Sequence, residues 1–589
     1  MCVQPASWPG PDPQITAAIA AKYPGKRARP LAVRIRDRLG EWLHDEQFAA
    51  AFGTRGRPGW SPSRLALVTV LQRAENLTDR PAAEAVRMRL DWQYLLGLGL
   101  DDPGFDHTVL SEFRGKVAGA GLERAALDAL LERLAADGLV KAGGKQRTDS
   151  THVVAAVAAL HRLELAGESV RAALEALTAA HPDWVAQRVC VPDFARRYGT
   201  PMTSWRPPAS KAKQDELAIA YARDGYALLE AVYDRSSPSW LREVPAVDVL
   251  RRVLVQNYTR VITGGREVIK RREKAPEGDG LPPGHTRIAS PYDTDARWGA
   301  KREESWLGYK LHITETCDDA PPCSCGQAAG ERAAARGDDR EHGKDCARLV
   351  FPNLITHVAT TDATVTDVQM TGAIDDDLAG KNLTPGRHYL DSGYLSAALA
   401  VSEHARHGIA LIGPLLADTS AQARAGNGYA SADFTIDYRT RTVTCPQGKT
   451  SASWTPCTQR GTDAIVAQFS ARDCGPCPAR DLCTRGRKRQ LTVPPPDLAE
   501  AQAAARATQD TAGFQADYAR RAGVEGAMHQ ATSHGARRAR YRGLPKTRLD
   551  HAYMACALNL IRLHAYWTGT PLDRQRTSHL ARLELASAA

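Results

Sequence analysis

Apolar positions divide the chain into stretches of two different periods. From Pro30 to about Gly138 they recur at helical spacing. Arg57-Pro58-Gly59-Trp60-Ser61-Pro62-Ser63 reads as a turn and helix start, with Leu65, Leu67, Val68 and Leu71 following on one face. Pro81 opens another helix whose polar face carries Arg87 and Arg89, and Phe105 to Ser111 starts one more. Residues 1–30, rich in Pro and Gly, are expected to be loose. After Gly143-Gly144 the period changes to two, and Arg147 to Val154 reads as a strand. Residues 157–260 return to helical spacing, and Lys270 to Pro283 is charged and Pro/Gly-rich, as in a linker. Strands resume at Leu307 to Thr314, where Leu307, Tyr309, Leu311 and Ile313 alternate with Lys310 and His312. Leu354 to Thr360 is the next strand, followed by a short helix over Asp367 to Leu378. An apolar strand then ends on Asp391, with Gly393 to let the chain turn. A helix over 396–406 leads to a last strand at Gly408 to Gly413.

Asp149 lies inside its strand, where Asp is disfavoured. It is either a strand-end residue hydrogen-bonded to a neighbouring loop or a metal ligand. Farther on, Tyr518, Arg521 and Glu525 are spaced i, i+3, i+7 in a polar, Ala-rich run that reads as helix. At ~100° per residue they share one stripe. A Tyr, an Arg and a carboxylate make a poor core face and a plausible wall for metal and phosphate chemistry.

The bulk numbers narrow the partners. The 589 residues suffice for several domains, and 43% hydrophobic content provides a core. Basic residues number 77 against 67 acidic, a net charge of +10. The surplus is local: Gly526 to Leu549 holds no Asp or Glu but carries Arg537, Arg538, Arg540, Tyr541, Arg542, Lys546 and Arg548. That run is either a solvated basic face or a site for a polyanion such as DNA. No apolar export segment stands at the start and no run of about 18 apolar residues occurs, so a cytoplasmic chain without a membrane span is expected. Twelve Cys in such a chain point to reduced thiols and metal rather than disulfides. Cys445, Cys474, Cys477 and Cys483, with the two-residue gap of a zinc ribbon, form a candidate structural Zn2+ site. Cys317, Cys323, Cys325, His342 and Cys346 form a second, irregular group, and His357 and His388 read as structural histidines.

The order of elements resembles the ribonuclease-H-like fold. That resemblance sets the Asp149 strand beside the Asp391 strand, near the strand carboxyl ends, and brings Glu525 across on the last helix. Three oxygen ligands of this kind favour Mg2+ or Mn2+, and two such ions about 4 Å apart suit an in-line attack on phosphorus. Thr148-Asp149-Ser150, Trp306-Leu307-Gly308-Tyr309-Lys310, Leu390-Asp391-Ser392-Gly393-Tyr394 and Tyr518, Arg521 and Glu525 together resemble a bacterial insertion-sequence DDE transposase. Within that family the match is to the Tyr–Arg–Glu signature group, in its IS-eleven-eighty-two branch. One departure stands out: the family's Lys seven residues after the Glu is Thr532 here.

The resemblance implies an α/β multi-domain chain with a mixed five-stranded sheet. Its expected parts are a flexible 1–30, an all-α DNA-binding domain over 31–140, catalytic core over 141–157, 285–415 and 498–569, a helical insertion and linker over 158–284, a Cys-rich insertion over 416–497, and a tail over 570–589. It implies metal-dependent cleavage of transposon ends and their joining to target DNA. Asp149, Asp391 and Glu525 would hold Mg2+, with Arg521 and Tyr518 at the phosphate. Double-stranded DNA, a homodimer or higher oligomer, and a bacterial nucleoid setting follow from the same resemblance. The rival readings are a same-fold nuclease that cuts without joining and a transposase-derived DNA-binding regulator.

Overall fold

A computed structural model describes residues 7–25, 29–53, 55–56, 59–202, 208–264, 266–273, 280–301, 303–319, 352–418, 420–426, 428–459 and 462–569. The group around Cys323, Cys325, His342 and Cys346, the Arg57-Pro58 turn and the expected tail lie outside these residues.

Seven helices open the described chain: α1 (Pro13–Lys22), α2 (Leu31–Leu39), α3 (Pro62–Ala74), α4 (Asp79–Met88), α5 (Leu90–Leu96), α6 (Thr108–Gly119) and α7 (Ala125–Ala136). The loose start expected for residues 1–30 is corrected by α1. Asp12 caps it by accepting from the Gln14 and Ile15 amides, Pro13 opens its first turn, and Ile15 and Ile19, one turn apart, bury against Val33.

The strand carrying Asp149, β1 (Lys145–Val154), is central in the main sheet. An insertion follows it: α8 (Arg162–Ala180), α9 (Pro182–Arg188), α10 (Val191–Tyr198), α11 (Lys211–Tyr233) and α12 (Pro245–Asn257), closed by a hairpin of β2 (Tyr258–Thr263) and β3 (Arg266–Arg271). It has a separate apolar core around Val170, Leu177, Tyr221, Leu228 and Leu250. The hairpin occupies the start of the expected linker.

The sheet is completed by β4 (Arg297–Lys301), β5 (Glu304–Thr316), β6 (Ile355–Asp362), β7 (Arg387–Tyr389) and β8 (Ala410–Ile412), with α13 (Asp367–Gly380) and α14 (Ala397–His407) between the later strands. Its order is β4-β5-β1-β7-β8, and β6 also pairs with β5. β5 runs antiparallel to β1 and β6, while β1, β7 and β8 are parallel. The sheet has six strands, not the expected five. β5 is 13 residues long, so its outer edge takes β4 and β6 end to end.

After the short helix α15 (Ala421–Ala425), residues 435–493 form small sheets: β9 (Thr435–Asp437) with β10 (Thr442–Thr444), and β11 (Ser453–Gln459), β12 (Thr462–Gln468) and β13 (Gln490–Val493). The short helices α16 (Ala471–Cys474) and α17 (Arg480–Cys483) sit between β12 and β13. They share a core of Phe434, Val443, Ile465, Phe469, Leu491 and Val493.

Then come α18 (Pro496–Gln509), α19 (Ala512–Tyr518), a 3₁₀ turn (Ala519–Gly523), α20 (Val524–Ser533) and α21 (Leu544–Thr568). α21 is buried along most of its length and packs on β6 and on α2, α3, α6 and α7. Through it the N-terminal helices and the sheet share one continuous core. An apolar helix that faces two layers must bury on both sides, and Leu549, Tyr553, Leu558 and Leu563 do so.

Candidate active site

Two carboxylates meet at the carboxyl end of parallel strands. β1 pairs with β7 as Lys145↔Arg387, Gln146↔His388 and Arg147↔Tyr389, and each chain runs two residues past the last pair to Asp149 and Asp391, close enough for the Asp391 charge to act on Asp149. Asp149 Oδ1 accepts from the Ser150 amide at 2.8 Å. Asp391 Oδ1 accepts from the amides of Gly393 at 2.9 Å and Tyr394 at 3.2 Å, which fixes the turn that ends the strand. Each carboxylate thus has one oxygen tied to backbone and a second, Oδ2, without a hydrogen bond among the described residues. Burial pushes the Asp149 carboxyl up from its ordinary value, the Ser150 amide and Arg521 pull it back, and the charge on Asp391 pushes it up again.

The segment bearing Tyr518, Arg521 and Glu525 departs from the expected single helix. Tyr518 ends α19, Arg521 lies in the 3₁₀ turn and Glu525 begins α20. A residue on β1 meets the break. Arg147 Nη1 donates to the Arg520 carbonyl at 2.7 Å, and the Val524 amide turns to the Arg521 and Ala522 carbonyls instead. In a 3₁₀ turn, residues three apart eclipse. Arg521 accordingly stands over Tyr518, its Nε donating to the Tyr518 hydroxyl at 3.1 Å. Arg521 Nη1 reaches to 3.5 Å from Asp149 Oδ2, and this buried nitrogen has no hydrogen-bond partner. Burial is the largest single influence and works against the Arg521 charge, but Asp149, Tyr518 and Asp391 together raise the guanidinium. Burial likewise raises the Tyr518 hydroxyl.

Glu525 is exposed and makes no hydrogen bond or ion pair among the described residues. The helix that bears it, α20, packs on β1 and β5. No group of three or more His, Cys, Asp or Glu stands in metal-holding geometry among the described residues. The donor set of the Asp pair is nonetheless all oxygen, with Asp391 Oδ2 lacking a hydrogen bond among the described residues and Asp149 Oδ2 facing Arg521, which suits a hard divalent ion.

The basic run divides in two. Arg537, Arg538, Arg542, Lys546 and Arg548 are exposed. Of these, Arg537 donates to Thr151 Oγ1, Arg548 donates to the Thr360 carbonyl, and Arg542 lies over the Tyr292 ring. Arg540 and Tyr541 turn inward. Arg540 donates to the Leu77 carbonyl, and the Tyr541 ring lies under the Arg114 guanidinium, 4.6 Å from its centroid. Thr532, at the place of the family Lys, donates to the His529 carbonyl. His388 and His357 are buried, and His388 bridges Asp375 and Thr148 at 2.7 and 2.6 Å.

Cys445, Cys474, Cys477 and Cys483 line a single pocket with Phe434 and Phe469. The Lys449 amide donates to Cys445 Sγ at 3.3 Å and the Arg489 amide to Cys474 Sγ at 3.5 Å. Burial raises the Cys483 thiol, Arg489 opposes this, and the Cys474, Cys445 and Cys477 sulfurs add to it.

Sequence reading missed three buried ionic residues that brace the site. Arg147 donates to Glu315 Oε1 at 2.8 Å, and Arg562 donates to Glu315 Oε2 at 2.7 Å and to Gln530 of α20 at 2.9 Å. A signal was present: Arg147 shares a strand face with Asp149, and Arg562 interrupts an apolar run.

Two segments match transposase families. Residues 444–564 match the model of a transposase DDE domain, and residues 19–116 match that of a transposase domain, DUF772. No curated protein and no solved structure matches the chain. The matches support an insertion-sequence transposase acting on DNA, in the nuclease and transposase class of enzymes. Glu525 and the basic run fall inside the DDE match, while Asp149 and Asp391 lie between the two matched segments. No described helix is long and apolar enough to cross a membrane.

Proposed function

We propose that the chain binds the terminal inverted repeats of its own element, cleaves their strands and transfers them to target DNA, with Asp149, Asp391 and Glu525 as its acidic triad. The single observation that carries this reading is that Asp149 has both the Asp391 charge and the Arg521 guanidinium beside it, two residues past the paired ends of β1 and β7. The strand order β6-β5-β1-β7-β8, with β5 antiparallel to its neighbours and the last three strands parallel, supports a ribonuclease-H-like core. A crevice outside the carboxyl ends of parallel strands is where such sheets bind ligands.

Asp149 and Asp391 would hold a divalent ion through their Oδ2 atoms, that of Asp149 exchanging its Arg521 contact for the ion, with Glu525 brought in from α20. Mg2+ or Mn2+ bound there would supply charge for the attacking and leaving oxygens of a phosphodiester exchange. Arg521 Nη1 makes no hydrogen bond and would offer one to a phosphate oxygen while its charge stays beside Asp149. Tyr518 holds the Arg521 fork in plane from below. The P–O3′ bond at the cut breaks as a new bond forms from water, and in the joining step the freed 3′-hydroxyl attacks a target phosphorus, loses its proton and displaces the target's own 3′-oxygen, which leaves as a hydroxyl. No covalent protein intermediate is needed. The exposed Arg537, Arg538, Arg542 and Lys546 lie on the stretch that would track the DNA backbone.

The test is nicking of a supercoiled plasmid that carries the gene with its flanking DNA. Asp149→Asn, Asp391→Asn and Glu525→Gln should each abolish nicking while gel-shift binding persists. Retained nicking in any of them removes that residue from the site. A strand-transfer assay with pre-cut ends separates a transposase from a nuclease that only cuts.

The four cysteines line one pocket without standing in metal-holding geometry, so a structural Zn2+ in the 416–497 insertion would draw their sulfurs together. Amide-to-sulfur hydrogen bonds at Cys445 and Cys474 are the kind that stabilise thiolate ligands. Elemental analysis of the purified chain should find one zinc per molecule, lost in Cys474→Ser; its absence removes the site.

A further inference from the structure

We propose that Arg147 is a positioning residue: by drawing the Arg520 carbonyl out of the helical ladder, it forms the 3₁₀ turn that presents Arg521 to Asp149. This rests on the reading of the site just given. Arg147 stands two residues before Asp149 on the same face of β1. It is 7% exposed and spends its fork on two elements at once. Nε and Nη2 hold Glu315 Oε1 at 2.8 and 2.6 Å, and Nη1 takes the Arg520 carbonyl at 2.7 Å. Gly523, at the end of the turn, lies directly on the guanidinium: a Cβ there would fall 2.0 Å from Arg147 Nη1. A side chain there would have to push the guanidinium off the Arg520 carbonyl.

The rest of the segment is held at both ends. Arg387 and Tyr389 of β7 donate to Asp517 at 2.8 Å each. Arg562 ties Gln530 of α20 to Glu315. With both ends pinned, the Arg520 carbonyl sets the rotation of what lies between. An α-helical continuation would turn each residue by ~100° rather than the ~120° of a 3₁₀ turn, so Arg521 would stay on the Tyr518 stripe but swing about 60° from its place directly over the ring.

Removing Arg147 should not unfold the chain. Glu315 would keep Arg562 as its counter-ion, so the buried triad becomes a neutral pair rather than an orphaned charge. Arg147→Met therefore tests position rather than folding, and Gly523→Ala, at an exposed residue, tests it with Arg147 and Glu315 intact. Arg147→Lys keeps the charge but, with one compact ammonium, serves Glu315 and Arg520 less well.

The experiment measures plasmid nicking with Mn2+ on the full chain, together with trypsin cleavage after Arg520 and Arg521 mapped by mass. Arg147→Met and Gly523→Ala should lose about ten- to a hundredfold in rate at saturating DNA. The DNA concentration giving half-maximal rate should stay within about twofold, because uniform binding is untouched. Arg147→Lys should recover part of the rate. In both damaged variants, cutting after Arg520 and Arg521 should speed up while the Tm of the chain holds. Parental nicking rates, or an unchanged tryptic pattern, overturn the inference. Asp149→Asn keeps the two questions apart: if it nicks like the parent, the site reading fails, and if it is inactive while Arg147→Met is not, only the role of Arg147 fails.

Discussion

Arg521 is the counter-ion of Asp149: its Nη1 stands 3.5 Å from Asp149 Oδ2, with both side chains less than one-fifth exposed. The pair offsets part of the repulsion between the neighbouring Asp149 and Asp391 carboxylates. It also places a donor where a phosphate must lie if the carboxylates bind metal.

Arg521 should therefore be worth more for its shape than for its charge. Arg521→Gln is expected to lower the nicking rate about a hundredfold and Arg521→Lys roughly tenfold, since a point charge cannot serve Asp149, Tyr518 and a phosphate oxygen together. Rates measured at saturating DNA check this; equal rates for the Lys variant and the parent would reduce the role to simple charge.

Gly308 is required by the sheet. Its φ is +154° in the middle of β5, and a Cβ there would meet the Val153 carbonyl oxygen at 2.1 Å. Gly308→Ala must push β1 away or strain the backbone. A loss of roughly 2–4 kcal/mol is expected in urea unfolding.

Acid should destabilise the chain through its buried histidines. His551 is fully buried on α21, with Nδ1 2.7 Å from Thr360 Oγ1, and burial lowers it to about 4; His312 is lowered likewise to about 4. The unfolded chain takes up these protons near the ordinary value of 6.5, while the folded chain does not until about 4. Stability contributed by the neutral rings is thus complete above pH 6.5 and is lost as pH falls toward 4. The Tm difference between pH 7.5 and pH 5 should shrink in His551→Gln, and an unchanged difference would count against the assignment.

DNA affinity should divide along the basic run as exposure does. Arg538→Ala and Lys546→Ala are expected to weaken plasmid binding and each lower the salt slope by about 1. Tyr541→Phe, under Arg114, should leave the slope alone, and Tyr541→Ala should instead lower the Tm. Gel shifts across a salt series decide between the two.

Much of this was legible because it is local. Period-two alternation marks β1 and β5, and an Asp followed by Ser-Gly marks the turn after β7. Cys474 and Cys477, two residues apart, flag a pocket that also gathers Cys445 and Cys483. What escaped is set at a distance. Nothing within Asp517 to Glu525 says that its helix breaks, since the break is made by Arg147 from another part of the chain. Tyr541 reads as a basic-run aromatic until α6 covers it with Arg114. The β2–β3 hairpin hid because its apolar residues Ile262 and Val268 are exposed and show no core-facing stripe.

The most direct measurement replaces Mg2+ with Fe2+ and lets ascorbate and peroxide cut the polypeptide around the bound ion. If one divalent site is shared, fragments should end near Asp149, Asp391 and Glu525 together, and all three cuts should vanish in Asp149→Asn. Cuts near the two aspartates without any near Glu525, or cuts unaffected by Asp149→Asn, would contradict the shared site.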